Sequence, residues 1–383
     1  MDDKWGMLES TNEDREKIWK KNRTFAGDVW FRFRHKPTAI AGLILILVLL
    51  VFAFAGPLFT HYSYSDQNLD VVNIPPVMRV YEAPDGQACF YVTQALKVLR
   101  VNNDGTLDTQ LSKLREDYTA GVAIFDYDGT EVGLSYFVTP YEMVDPETME
   151  AYPARTVLNR SYLFGTDSLG RDILTRLMYG TRVSLMVAFI AVIVNMVIGI
   201  LFGGISGYAG GMVDTVMMRI VDIISTIPLT LYVILIMVIM GSGLQSIIVA
   251  LGTTYWVGMA RVVRGQVLSL KNQEFVMAAK TIGSSTKTIL LQHLVPNSMG
   301  SILVTVTMLI PSAIFMEAFL GYLGIGLQPP LASLGTMCND ATANLRTCPY
   351  QLFIPAIVIC LIMFGFNFIG DGLRDALDPK LKK

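Results

Sequence analysis

Six apolar stretches with few charges divide the chain into membrane and non-membrane segments. The first covers residues 38–60. The other five lie near residues 183–202, 216–240, 246–260, 302–319 and 353–369. Because about 20 apolar residues span a bilayer as a helix, this pattern predicts an all-α polytopic membrane protein with six transmembrane helices. The composition agrees, since 52% of the residues are hydrophobic and only 16% are charged.

The charges beside these stretches predict the orientation of the chain. Residues 1–37 end in a basic cluster, from Arg32 to Lys36, directly before the first span. Basic residues next to a span stay in the cytoplasm, so six crossings would place both termini there. The aromatic residues of this segment fit an interfacial helix, with a frayed tail as the alternative. Its length is unusual for a cleaved signal, which favours a membrane anchor.

Residues 61–160 change character and become polar and acidic. Short runs of β-branched and aromatic residues alternate there with Asp-Gly pairs at Asp85, Asp104 and Asp128, and each pair is a hairpin signal. We therefore predict a small β-rich extracytoplasmic insert between the first two membrane helices. A calcium loop at residues 126–131 is the alternative to a hairpin there, but the glycine falls too early for one. Whether the acidic surface is only solvated or docks a partner stays open.

A polar island, residues 271–297, separates the fourth and fifth spans. Ala279 and Gly283 are four residues apart, so on a helix they would share a face of small side chains, with Ala278 beside them. Gly283 is a natural helix stop, and Pro296 fits the first turn of the next helix. We predict a helix-turn-helix at the membrane surface. An ordinary amphipathic connector is the alternative.

This island resembles the EAA loop in the membrane subunits of ATP-binding cassette (ABC) importers. Two alanines, a glycine and a proline match that loop, whereas Met277 stands in place of its glutamate. The resemblance implies that the island docks a partner ATPase. The residues assigned to docking are Glu274, Ala278, Ala279, Lys280, Gly283 and Pro296.

Residues 162–185 carry a longer resemblance. Considered alone, they predict a capped helix in which Asp167 pairs with Arg171 and Asp172 with Arg176. The same string is similar to a signature of the oligopeptide, dipeptide and nickel branch of ABC importers. The matching residues are Gly165, Thr166, Asp167, Leu169, Gly170, Arg171, Asp172, Tyr179, Gly180, Arg182, Val183, Ser184 and Leu185.

The resemblance implies the type I ABC importer fold, with a five-helix permease core in residues 161–383, and the second (C-type) permease of a pair. It also implies a set of partners in the bacterial cell membrane. These are a second homologous permease subunit, two ABC ATPase subunits, an extracytoplasmic peptide-binding protein and a peptide substrate, with no nucleic acid. ATP and Mg²⁺ would be bound by the ATPase subunits. The choice among oligopeptides, dipeptides and nickel stays open.

The chain itself shows no catalytic machinery. It lacks a Gly-x-x-x-x-Gly-Lys-Ser/Thr phosphate loop and has only three histidines, in no catalytic or metal-binding arrangement. We therefore predict a non-enzymatic transport subunit without a cofactor, working by alternating access. One alternative is a secondary transporter, which should show ionisable residues near the bilayer midplane. The other is a membrane-anchored receptor or enzyme that uses the insert.

Four polar residues within the spans need an explanation, since polar groups in lipid are costly unless they face water or a partner. Glu317 and Asn195 are predicted to line the translocation pathway, and for Glu317 the alternative is that it caps nearby backbone amides. Arg219 and Asp222 lie three residues apart and are predicted to form a structural pair.

Three further features predict local structure. The glycines between residues 203 and 211 indicate a flexible inner turn. Pro228 is expected to kink the third span, because proline removes a backbone hydrogen bond. Cys338 and Cys348 flank the outer loop before the sixth span, where a disulfide is possible, and two free buried thiols are the alternative.

Overall fold

The computed structural model describes residues 24–377. The first part of the predicted interfacial segment, and the last basic residues of the tail, therefore lie outside the described residues. A short helix, α1 (Phe25–Arg34), is capped by the Thr24 hydroxyl. The first membrane helix, α2 (Pro37–Phe54), begins at a proline. Proline suits the first turn of a helix, because the N–H groups of that turn have no partner within the helix.

Nine antiparallel strands form the predicted insert. They build one sheet in the order β4-β3-β2-β1-β9 and another in the order β5-β6-β7-β8. The strands are β1 (Val77–Glu82), β2 (Ala88–Val92), β3 (Val98–Asn102), β4 (Leu107–Gln110), β5 (Ser112–Asp117), β6 (Val122–Tyr127), β7 (Thr130–Ser135), β8 (Glu142–Val144) and β9 (Ala154–Leu158).

All three Asp-Gly pairs connect neighbouring antiparallel strands, so the hairpin predictions are confirmed. At the third, Asp128 and Gly129 have φ angles of 50° and 85°, as a two-residue hairpin turn of the type I′ class requires. The two sheets share a buried core in which Phe90 contacts Tyr127 edge to face at 5.0 Å. Burial, and the hydrogen bond that its hydroxyl donates to Asp85 (2.9 Å), raise the pKa of Tyr127 to about 12.

The rest of the described chain is mostly helical. After the insert come α3 (Ile173–Ala209), α4 (Gly211–Thr226), α5 (Leu229–Met240), α6 (Leu244–Gly252), α7 (Trp256–Leu270), α8 (Glu274–Thr281), α9 (Thr286–Thr288), α10 (Val295–Tyr322), α11 (Leu334–Thr342) and α12 (Tyr350–Leu377). A widened π-helical turn, Ile289–Leu294, joins α9 to α10.

The number of predicted membrane spans agrees with these helices. In residues 24–377, five stretches are long and apolar enough to cross a bilayer: Pro37–Leu58, Ile173–Ala209, Leu244–Leu270, Thr286–Tyr322 and Tyr350–Leu377. The pair α4 and α5 makes a sixth if it is counted as one span bent by 85°. The bend lies at Pro228, so the predicted break at this proline is confirmed.

The prediction of a flexible turn at the glycines between residues 203 and 211 is mostly wrong. Helix α3 continues through Gly203 and Gly207, and only Gly210 and Gly211 form the turn. A Cβ atom added at Gly203 would lie 2.3 Å from the carbonyl oxygen of Ala260 in α7. These glycines therefore allow α3 and α7 to pack backbone against backbone, a common use of small residues between membrane helices.

Helix α3 lies at the centre of the bundle, with a buried apolar cluster shared by α2, α3, α10, α11 and α12. The insert joins this bundle at the start of α3. The Thr166 hydroxyl accepts a hydrogen bond from the Ile74 N–H (2.8 Å), and the Tyr350 hydroxyl donates to the Ile74 carbonyl (3.0 Å). The insert is thus held against the N-terminal ends of α3 and α12.

Candidate functional site

The polar island forms the predicted helix-turn-helix. Helix α8 ends at Gly283, whose φ of +83° favours glycine. The N–H of Gly283 bonds to the carbonyl of Lys280 and that of Ser284 to the carbonyl of Ala279, both at 3.0 Å, which is a Schellman motif. The hydroxyl of Ser285 then caps the next turn by accepting from the Thr288 N–H at 3.2 Å. We call residues 274–288 the docking finger.

The finger does not present the face that was predicted. Ala279 is buried, together with Val276, against Ile289, Leu290 and neighbouring apolar residues of α7. Val276 and Ala279 are three residues apart, so they lie on the same face of this short helix, and that face packs against the bundle. The assignment of Ala279 to an outward docking face is therefore wrong, whereas Ala278 and Gly283 are exposed.

Three large apolar side chains lie on the outer surface of the finger. Ile282 is 83% exposed, Met277 57% and Phe275 38%. Neither Phe275 nor Ile282 is among the residues predicted to dock the ATPase, although bulky apolar residues in a polar island are a usable signal. Large apolar side chains that are exposed close together typically mark an interaction surface.

The base of the finger contacts the C-terminal end of α3, and the preceding helix α7 contacts the start of α4. Lys271 donates to the Gly207 carbonyl (3.1 Å), and the Lys280 ammonium lies 5.5 Å from the centre of the Tyr208 ring. About two helical turns before Lys271, Arg264 makes a two-pronged ion pair with Asp214, both bonds at 2.6 Å. These contacts join the finger to α3, and α7 to α4.

The predicted pair of Arg219 with Asp222 does not form. Asp222 instead accepts from Arg261 of α7 at 3.0 Å, and the same guanidinium donates to the Ser225 hydroxyl at 2.9 Å. Arg261 approaches from the neighbouring helix and reaches both Asp222 and Ser225. Arg219, one turn away on the same helix as Asp222, makes no such contact. Asp222 therefore joins α4 to α7, beside the contact of Asp214 with Arg264.

Pro296, the last residue assigned to the loop, lies in the first turn of α10 as predicted and is exposed. The π-helical turn directly before it gives this part of the helix one wider turn. Such turns occur often at functional sites, and this one joins the docking finger to a membrane helix.

Glu317 and Asn195 do not face a passage in this chain. Both side chains are fully buried. Glu317 accepts a hydrogen bond from the Ser184 hydroxyl at 2.6 Å, and the Asn195 amide donates to the Leu251 carbonyl at 3.1 Å. Their prediction as lining residues is contradicted, because each finds its polar partner on a packed neighbouring helix.

An ionic cluster joins the start of α3 to α11. Asp167 contacts Arg171 (2.7 Å) and Arg176, and both guanidinium groups also reach Asp340, at 3.2 and 3.1 Å. The pairing of Asp167 with Arg171 is confirmed. That of Asp172 with Arg176 is wrong, because Asp172 caps α3 through the N–H and hydroxyl of Thr175. The cluster borders a cavity of about 330 Å³.

We expect Asp340→Asn to lower the free energy of unfolding by about 1–2 kcal/mol, because two buried arginines lose an ionic acceptor that is itself partly exposed. Thermal unfolding of the purified chain in detergent checks this. Asp371→Asn is the control, since the exposed Asp371 carboxylate makes no ion pair with any residue of the described range. Equal melting of both variants and the parent would contradict a structural role for the cluster.

The possible disulfide is not formed. Cys338 and Cys348 are both free and buried. The Cys348 sulfur instead lies 3.6 Å from the Gln94 amide nitrogen of the insert. The alternative of two buried thiols is therefore the one found.

Two family models match parts of this chain. Residues 199–383 match the family model of the binding-protein-dependent transport system inner membrane component. Residues 24–76 match the N-terminal TM domain of oligopeptide transport permease C. The second match covers α1 and α2, and the first covers the docking finger.

Relatives with assigned names match along nearly the whole chain. The oligopeptide transport system permease protein OppC of Bacillus subtilis is 40% identical over 97% of this chain and 94% of its own. The dipeptide transport system permease protein DppC of the same organism is 36% identical over 100% of this chain and 94% of its own. OppC of Escherichia coli is 45% identical over 63% of this chain and 78% of its own.

Among solved structures, an inward facing conformation of the MetNI methionine ABC transporter is 21% identical over 53% of this chain and 96% of that chain, with a TM-score of 0.44. The family matches and the near full-length identities together show the family: this chain belongs to the Opp/Dpp-type permeases of ABC importers, with the N-terminal membrane domain of the C-type subunit.

Proposed function

We propose that this permease moves peptides into the cell by alternating access, driven by ATP hydrolysis in partner subunits. Its partners would be a second homologous permease, two ABC ATPases and an extracytoplasmic peptide-binding protein. Both termini and the docking finger would lie in the cytoplasm, with the insert outside. The names of the B. subtilis relatives, which carry oligopeptides and dipeptides, support a peptide substrate.

The single observation that carries this proposal is the docking finger. It combines an exposed apolar tip with a base fixed by Lys271 to the helix bundle. The tip gives a partner a surface to bind, and the fixed base lets the partner's movement reach α3 and α7. In the proposed cycle, closure of the ATPase dimer moves the fingers of both permeases and switches the side on which the cavity is open.

Energy enters this cycle only if the partner binds the two conformations with different affinities. The contacts at the base of the finger suit that requirement. Arg264 with Asp214, and Arg261 with Asp222, fasten α7 to α4 at two points. Movement of the finger is therefore expected to carry α4 and α7 together as one unit.

We expect Ile282→Asp to weaken binding of the ATPase subunits by about 10- to 100-fold, because burying an isoleucine side chain contributes about 1.5–3 kcal/mol. Co-purification of the tagged permease with its ATPases, followed by titration, measures this. Ile282→Val retains the apolar contact, and Thr286→Asp places the same charge on the next turn of the finger.

Both controls are expected to bind nearly as the parent does. Unchanged ATPase binding by Ile282→Asp would show that the tip is not part of the docking surface. Loss of binding by Thr286→Asp as well would indicate a general effect of negative charge rather than loss of an apolar contact.

A complete complex separates this function from the two alternatives. For an ABC importer, ATPase activity requires the partner subunits and rises when the peptide-binding protein is added. A secondary transporter would take up peptide in vesicles that contain only this chain and an ion gradient. A receptor or enzyme would bind or transform its ligand through the isolated insert without any transport.

A further inference from the structure

A polar cavity of about 690 Å³ opens between α7, α10 and the end of α12. Half of its lining residues are polar. They are Gln266 of α7, Asn297, Ser301 and Thr305 of α10, and Arg374 of α12. The volume lies within the range of pockets that hold small ligands, about 300–1,000 Å³.

The polar groups on α10 form a regular row. Asn297, Ser301 and Thr305 are spaced four residues apart and therefore lie on one side of the helix. The Thr305 hydroxyl and the Asn297 amide donate only to carbonyls of their own helix, at 2.8 and 2.6 Å. Their oxygens accept no hydrogen bond from any residue of the range 24–377, so they can accept from a ligand.

The opposite wall supplies further uncommitted groups. The side chains of Gln266 and Arg374 make no hydrogen bond or ion pair with any part of the chain that the structure describes. An amide and a guanidinium would be costly against hydrocarbon, so this wall must face water or a polar ligand.

We infer that this cavity is the inner section of the substrate passage and that it contacts the main chain of a peptide. Neutral hydroxyl and amide groups can bond to peptide N–H and C=O groups whatever the side chains are. Arg374, at the mouth, would face carboxylates. This inference rests on the proposed function and replaces Glu317 and Asn195, which are buried in the bundle, as candidates for the passage.

Thiol accessibility tests the assignment in the assembled transporter. Thr305→Cys is introduced into a Cys360→Ser background and treated with a membrane-impermeant methanethiosulfonate, in inverted and right-side-out vesicles. Two controls lie on the same helix. Thr307 lies against Gly370 of α12, and Leu303 is an exposed apolar residue outside the lining of the cavity.

We expect the thiol at position 305 to react about tenfold faster than those at 303 and 307, because the reactive thiolate forms only where water reaches it. A transported peptide of three to five alanines should slow the reaction at 305 alone. Equal rates at all three positions, or no effect of the peptide during active uptake, would overturn the passage assignment. Absence of ATP-driven uptake in the parent complex would instead overturn the proposed function.

A second variant keeps the test independent of labelling. Thr305→Val removes the hydroxyl at nearly constant volume, and Thr307→Val does the same on the side of α10 that packs against α12. We expect Thr305→Val to raise the KM of peptide uptake several-fold while ATPase assembly stays normal. A KM that is unchanged, or that rises equally for Thr307→Val, would contradict a peptide contact at this position.

Discussion

Gly203→Val is expected to prevent correct packing of the membrane bundle. The added Cβ would lie 2.3 Å from the carbonyl oxygen of Ala260 and 3.0 Å from its carbonyl carbon. Both are backbone atoms, so no side-chain rotation relieves the overlap and α7 must move away from α3. We expect a loss of about 3 kcal/mol or more in the free energy of unfolding, at the upper end of overpacking effects.

Thermal unfolding in detergent, and the amount of protein in the membrane, measure this change. Gly258→Val on α7 is the matched control, because a Cβ there meets nothing within 4 Å. We expect the control to melt as the parent does. If Gly203→Val melted at the parent's temperature, α3 and α7 could not be packed as closely as described.

The same glycines show where the sequence was misleading. A cluster of glycines between two apolar stretches is a common signal for a turn, and only Gly210 and Gly211 serve that purpose. The role of Gly203 depends on Ala260 in another helix. The local sequence contains no information about that neighbour.

Features that depend on local physics were predictable. Hydrophobic length identified the membrane helices, Asp-Gly pairs identified the hairpins, and Gly283 with Pro296 identified the two ends of the connection between α8 and α10. Each of these features is set by the backbone preference of the residue itself or by the favourable transfer of apolar side chains into lipid. Neighbours distant in the sequence have little influence on such choices.

Features that depend on partners distant in the sequence could not be predicted. Asp222 pairs with Arg261 rather than with Arg219, because α7 brings a longer-reaching guanidinium to it. One carboxylate oxygen of Glu317 accepts a hydrogen bond from Ser184 of α3, in the buried interior of the bundle. Ala279 has the right spacing for an outward face, yet the bundle covers it because Val276 beside it must be buried. Spacing identifies residues that share a face but does not tell which way that face points.

Gly283→Trp is expected to abolish peptide uptake while leaving the chain folded and inserted in the membrane. Within the chain, a Cβ at this position meets nothing within 4 Å, so the indole causes no internal clash. The backbone φ of +83° adds a strain of about 1–2 kcal/mol for a residue with a Cβ, which a large bundle tolerates. The indole would, however, project beside Ile282 and hold the ATPase subunit away from the finger.

Gly283→Ala separates the two contributions, since it introduces the backbone strain with almost no bulk. We expect it to retain most of the uptake and most of the ATPase binding, whereas Gly283→Trp loses both. Uptake of labelled peptide and co-purification of the ATPases are measured at equal amounts of membrane-inserted permease. If both variants lost uptake equally, the conformation of the turn would be the requirement. If Gly283→Trp transported peptide normally, the finger could not be the place where the ATPase transmits its motion, because no partner could approach this turn closely with an indole upon it.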